Sequence, residues 1–248
     1  MIFDEIEHAE KLLKEGFKNS ISWYNLLVLS KYFRRKGKKD SEIKKEIVLF
    51  YKKYANYNEI LFDKKIEDAI RKSKKWKLKT SLEVYITEGE LEKIRSLKNY
   101  RYEKICFVML AISRYNKIFY KSKSSRYFIN MNFLNILSTA KVYATKKERD
   151  NIKIDLHRAG MIVVPELGRR TKDQKTETQE LLYIDEKSKK TMFINDWKNI
   201  LKNFNPLCLN CGKEIHEFYK KRNQLCTECY EKKRLEDVRS NMDKYRNK

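Results

Sequence analysis

The feature that most restricts this chain lies near its C-terminal end, where residues 208–229 read CLNCGKEIHEFYKKRNQLCTEC. The spacing is C-x2-C-x14-C-x2-C. Two residues between cysteines let one tight turn bring both sulfurs to the same ion, and two such pairs complete a tetrahedral shell of four thiolates. Gly212, directly after the first pair, suits the left-handed backbone of such a turn. The spacing therefore predicts one structural Zn2+ held by Cys208, Cys211, Cys226 and Cys229. Four thiolates leave no position for water, which argues against catalytic zinc. An iron–sulfur centre also uses four cysteines, but two evenly placed pairs favour zinc. A redox pair would want a βαβ setting, which the flanking residues do not offer. His216 lies between the pairs, yet the cysteines already fill the shell. Metal is needed because so short a segment buries too little apolar surface to fold alone, and zinc supplies on the order of 10 kcal/mol.

Elsewhere, breakers are scarce. A chain of 248 residues with 6 Gly and 2 Pro is poorly suited to a sandwich, a barrel or a Gly-rich nucleotide fold, and well suited to long helices. At 41% hydrophobic it has the material for a sizeable core. No stretch approaches the roughly 18 apolar residues of a membrane span, and the acidic, amphipathic start MIFDEIEHAEKLLKEG is unlike a signal peptide. The expectation is a cytoplasmic protein, in a bacterial host cytosol, whose cysteines are ligands or free thiols; Cys106, inside an apolar run, reads as inert. A net charge of +23 points to a polyanionic partner.

Three segments follow from composition and pattern: 1–76 a helical domain, 77–200 the segment expected to form a winged-helix DNA-binding domain, and 201–248 the cysteine module with a basic C-terminal helix. In the first, apolar residues recur at helical spacing: Ile6, Ala9, Leu12 and Leu13; then Trp23 to Phe33, ending near Gly37; then Ile43, Ile47, Phe50 and Tyr54; then Phe62, Ile66, Ala69 and Ile70. They predict a small bundle. In the second, Val84-Tyr85-Ile86 is β-prone, Thr87 and Glu90 form a capping-box signature, and ICFVMLAI is apolar on all sides, as a central helix must be.

The string SWYNLLVLSKYFRRKGKKDSEIKKEIVLFYKKYANYNEILFDKKIEDAIRKSKK, residues 22–75, resembles the small helical domain C-terminal to the catalytic core of phage and plasmid primases. The likeness rests on the Asn-Leu-Leu helix, the basic turn before Ser-Glu-Ile and the helix after Asn58. It covers about a quarter of the chain, carries no catalytic motif, and implies a replication context only.

Residues 133–185 predict a short helix with Phe133, Leu134 and Leu137, a turn, a helix capped by Thr145 and Glu148 and ending at Gly160, and two strands, MIVVPEL and QELLYID. That order resembles the winged-helix class of helix-turn-helix proteins. At about 100° per residue, Lys146, Arg149, Lys153 and His157 share one helix face, while Ile152, Leu156 and Ala159 share the adjoining one. Lys147 adds charge beside them. A recognition helix needs one buried side and one basic side free to enter a groove. Arg169, Arg170, Lys172 and Lys175 would charge the tip of the β-hairpin wing, and Lys220, Lys221 and Arg222, near Phe218 and Tyr219, would let the metal module meet phosphates and bases. The bland alternative is a solvated basic face, since winged helices also dock proteins. The tail after Cys229 reads as a solvated helix.

Together these features predict a mainly α protein: an N-terminal helical bundle, a winged-helix domain and a four-cysteine zinc ribbon. Domain order resembles replication-associated proteins of phages and other mobile elements. The expected function is non-enzymatic binding of nucleic acid, duplex DNA first and RNA not excluded, with a primase, helicase or other complex as a further partner and no membrane. No cluster of acidic residues for metal-dependent nuclease or primase chemistry is evident. The alternatives are a transcription regulator, or a phage interaction factor that engages a host or nucleic-acid-guided defence complex.

Overall fold

The computed structural model describes residues 4–17, 22–54, 58–163, 178–215 and 224–246. It separates into two compact units, 1–81 and 82–248.

The first unit contains helices α1 (Glu5–Glu15), α2 (Trp23–Arg35), α3 (Asp40–Tyr54) and α4 (Glu59–Ser73). Asp4, Ser22 and Asn58 start α1, α2 and α4 because their side-chain oxygens accept the otherwise unpaired amides of the first turn. Ala9, Leu26, Leu29, Ile43, Ile47 and Ile66 meet in a common core, as their spacing requires. α1 closes at Gly16, whose φ of 74° and ψ of −165° lie in a region open only to glycine. A Cβ there would also sit 2.4 Å from the Tyr54 ring. The extended residues after α4 return to α1: the Glu5 amide donates to Lys79 O at 2.9 Å and the Lys79 amide to Glu5 Oε2 at 2.7 Å. Glu5 also pairs with Lys31, and both are buried. These contacts put residues 77–81 in the first unit, so its edge lies at 81 where composition alone placed a boundary at 76.

The second unit is built on α6 (Tyr100–Phe119), in which every residue from Ile105 to Tyr115 is buried. Around it lie β1 (Val84–Thr87), α5 (Glu88–Arg95), β2 (Tyr127–Asn130), α7 (Phe133–Thr139), α8 (Lys146–Arg158), β3 (Ile162–Val163), β4 (Thr178–Leu181), β5 (Lys190–Ile194), a 3₁₀ helix (Trp197–Asn203) and α9 (Thr227–Arg246). Both expected capping boxes form, Thr87 with Glu90 and Thr145 with Glu148. β1 pairs antiparallel with β5, placing Val84 opposite Ile194. A second antiparallel sheet has the order β2-β4-β3, with Ile129 opposite Gln179 and Ile162 opposite Leu181. At the centre Glu90 holds Arg114 in an ion pair whose side chains are 0% and 3% exposed. The same carboxylate accepts from the Thr87 amide at 2.9 Å and the Asp185 amide at 3.2 Å. The protein is thus mainly helical with small antiparallel sheets, and among the described residues no helix is long and apolar enough to cross a membrane.

Candidate metal centre and basic helix face

Cys208 and Cys211 lie in a turn that Gly212 completes with φ of 72°. The Gly212 amide donates to Cys208 O at 2.9 Å, and the Cys208 amide to Lys213 O at 2.8 Å. The second pair is built differently: Cys226 immediately precedes α9 and Cys229 lies in its first turn. Residues three apart on a helix share a face, so a helix start presents two sulfurs as well as a second tight turn would. The four Sγ atoms all lie within 4.8 Å of one another, and Cys211 Sγ is 3.7 Å from Cys226 Sγ. A tetrahedral ion with bonds of about 2.3 Å needs sulfurs about 3.8 Å apart, so the cluster is compatible with a metal site.

Nearby N–H groups donate to two of the sulfurs. The Cys226 amide donates to Cys208 Sγ at 3.3 Å, and Asn210 Nδ2 to Cys229 Sγ at 3.3 Å. Burial opposes ionisation of Cys208, but the amides of Cys226, Cys211 and Asn210 outweigh it and draw the thiol down to about 6. At Cys211 the Lys213 amide favours the thiolate, yet burial and the neighbouring sulfurs prevail and push it up to about 11. Four sulfurs this close cannot all ionise without a cation among them.

The module rests on α5 and α6. Gln224, a non-glycine residue with φ of 58°, is buried and donates to Glu103 Oε1 at 2.9 Å and to Leu207 O at 3.2 Å. Arg95 reaches Asn205 O at 3.1 Å and Glu214 Oε1 at 3.0 Å. Burial pushes the Glu103 carboxyl above its ordinary value, against the pull of Gln224 and Arg95. Among the described residues the module's own buried apolar cluster is Cys208, Ile215 and Cys229, with Leu225 and Cys226 packed against it.

In α8 the buried side is Ile152 and Leu156, as the sequence implied, but Ala159 is exposed because the helix ends at Arg158. The four cations assigned to one face divide. Lys146, Lys147 and His157 are exposed, whereas Arg149 and Lys153 are half-buried at the seam. Lys153 Nζ lies 5.3 Å from the centre of the Phe133 ring, and His157 Nδ1 is 3.0 Å from Ile162 O. Tyr102 fixes the rotation of the helix by donating to Asp155 Oδ2 at 2.6 Å. The exposed arc therefore runs through Lys146, Lys147, Asp150, Asn151, Ile154, His157 and Arg158. Among the described residues no carboxylate pairs with Lys146, Lys147 or Arg149. Arg169, Arg170, Lys172, Lys175, Lys220, Lys221 and Arg222, with His216, Phe218 and Tyr219, lie outside the described residues.

Beside the start of α8 are cations that helical spacing alone did not single out. Arg101 Nη2 donates to Tyr143 O at 2.7 Å, and Lys104 Nζ donates to Lys141 O at 3.3 Å while lying 4.6 Å from the centre of the Tyr100 ring. Burial, and then the charges of Lys141 and Arg101, hold the Lys104 ammonium below its ordinary value. Tyr143, in the turn between α7 and α8, is 94% exposed. The only advance signal was a basic N-terminal turn on α6, separated by some forty residues from the turn it joins. No protein family, curated protein or solved structure matches the chain.

Proposed function

We propose that this is a non-enzymatic, zinc-bearing protein that binds duplex DNA, with residues 127–181 acting as a winged helix and α8 as its recognition helix. The observation that carries the reading is the combination of chain order and sheet order. A strand, two helices joined by a short turn, and two further strands run in sequence as β2, α7, α8, β3 and β4, and the sheet is ordered β2-β4-β3. In that arrangement the second helix is held by its apolar side and offers the other to a groove. Lys146, Lys147 and Arg158 would meet phosphates, and Asn151 with Ile154 would face base edges. Arg101, Lys104 and Lys141 extend the positive surface past the helix start. A phosphate among these three cations would offset the burial and the repulsion that together disfavour the Lys104 charge.

The ion at Cys208, Cys211, Cys226 and Cys229 is zinc in this reading, because four thiolates in a closed shell suit a structural tetrahedral site. It would tie the Cys208 turn to the start of α9. The likeness of residues 22–75 to a primase C-terminal domain supports a phage or mobile-element replication context, in which a primase or helicase would be the further partner.

The test is elution of the zinc-loaded protein from immobilised duplex DNA, single-stranded DNA and RNA along a salt gradient, with metal measured in the same fractions. Retention on duplex to the highest salt, with one zinc per chain, is the expected result. Equal, weak retention on all three would reduce the basic surface to mere charge, and retention on RNA alone would redirect the reading.

A further inference from the structure

α9 leaves the metal module as a helix that, among the described residues, nothing covers. Residues 232–242 are exposed on every side, including Leu235, Val238 and Met242, which are 57%, 48% and 52% exposed. At about 100° per residue these three lie within an arc of about 60°, the narrow seam of a two-helix coiled coil. Three large apolar side chains kept in water along one line mark a contact surface. The helix is also anchored: its first turn carries Cys229, and the Tyr230 amide donates to Cys226 O at 2.9 Å. A partner would find it already formed, which lowers the ordering cost of association.

Charge identifies the occupant. The seam is bordered by Arg234 on one edge and by Lys232 and Arg239 on the other, while Glu236 and Asp237 lie away from it. Glu231 continues the same line at the end nearest the cysteines, where Arg234 meets it at 3.5 Å, so the apolar part of the seam begins at Leu235. Paired with a second copy of itself, this helix would set basic edge against basic edge, with Arg234 of one chain facing Arg239 of the other in the parallel register. An anionic membrane would meet a seam without Trp or Phe and the carboxylates of the polar side. We infer that the exposed seam of α9 is a docking surface for one amphipathic helix of a partner protein whose seam is flanked by Asp and Glu. The inference does not depend on the DNA reading.

The experiment uses the full zinc-loaded chain and two synthetic three-heptad peptides with Leu at their core positions, one flanked by Glu and the other by Lys, followed by fluorescence anisotropy. The Glu-flanked peptide is expected to bind and the Lys-flanked one not. The triple variant Leu235→Gln, Val238→Gln, Met242→Gln changes only exposed positions, keeps every charge and uses a good helix former. It is expected to weaken binding roughly tenfold or more while leaving duplex affinity and zinc content unchanged. Equal binding of the Glu-flanked peptide by the variant would show that charge alone acts, and would overturn the proposal. So would sedimentation as a dimer that the variant dissolves, seam-dependent binding to phosphatidylserine vesicles without peptide binding, or a loss of duplex affinity in the variant.

Discussion

Replacing Glu90 by Ala should damage the second unit more than any exposed change, by an amount that can be worked from its contacts. The carboxylate is fully buried and serves three groups: the Arg114 guanidinium and the amides of Thr87 and Asp185. Removing one partner of a buried pair leaves an uncompensated charge, at a cost of about 3–5 kcal/mol. Arg114 cannot escape by deprotonating, because a guanidinium is too basic to lose its proton at ordinary pH even when buried. The two lost amide bonds add about 1 kcal/mol each, less whatever water recovers. With a urea m-value of about 2 kcal/mol/M, a loss near 5 kcal/mol lowers the midpoint by about 2.5 M. Trp197, buried in this unit, reports the transition once Trp23 and Trp76 of the first unit are changed to Phe. The double variant Glu90→Gln, Arg114→Met removes both charges and should return to within about 2 kcal/mol of the parent. A cost below about 1 kcal/mol for Glu90→Ala would refute the account of this centre.

Gly16→Ala should cost the first unit about 1–3 kcal/mol, read by thermal melting, because the new Cβ meets both a glycine-only backbone and the Tyr54 ring. Burial raises the Asp4 carboxyl, but hydrogen bonds from Glu7, Ser81 and Ile6 outweigh it and hold it below its ordinary 3.8. Its stabilising contribution is therefore complete above pH 3.8 and fades as the pH falls through the lowered value. Asp4→Asn should flatten that acid limb of a stability profile; an unchanged limb would count against the cap. Cys211→Ser should release the metal and raise hydrogen exchange at residues 208–215 and 224–230, since among the described residues the module's own buried cluster is three residues. Retained protection in demonstrably metal-free protein would show that it folds unaided.

How much of this was legible in advance depended on range. Thr145 with Glu148 and Thr87 with Glu90 announced two helix starts because a capping box is complete within four residues. The cysteine cluster was legible for the same reason: its ligands come in pairs three residues apart. β2, β5 and the 3₁₀ helix were not anticipated. YFIN and KTMFI are short, and β5 becomes a strand only by pairing with β1, as where Val84 meets Ile194 across more than a hundred residues. The buried side of α8 followed from Ile152 and Leu156, but its free side did not. That side is set by Tyr102 gripping Asp155 and by Phe133 beneath Lys153, contacts made from other helices. Gln224 on Glu103 is a similar case: a polar pair hidden in the packing between two segments, with no local signature. α9 was readable as a helix, but that its seam stays uncovered is a fact of the fold.

The exposed cations at the start of α8 carry the DNA-binding proposal most directly. Lys146 and Lys147 occupy its first turn, where reversal to Glu suits the helix dipole and leaves the fold intact. The decisive measurement is duplex affinity of the parent and of Lys146→Glu, Lys147→Glu by anisotropy over a range of salt. Each lost phosphate contact should lower the slope of log K against log salt by about 1, so the variant is expected to bind more weakly with a slope smaller by about 2. An unchanged affinity and slope in a folded, metal-loaded variant would contradict the assignment of α8 as the DNA-reading helix.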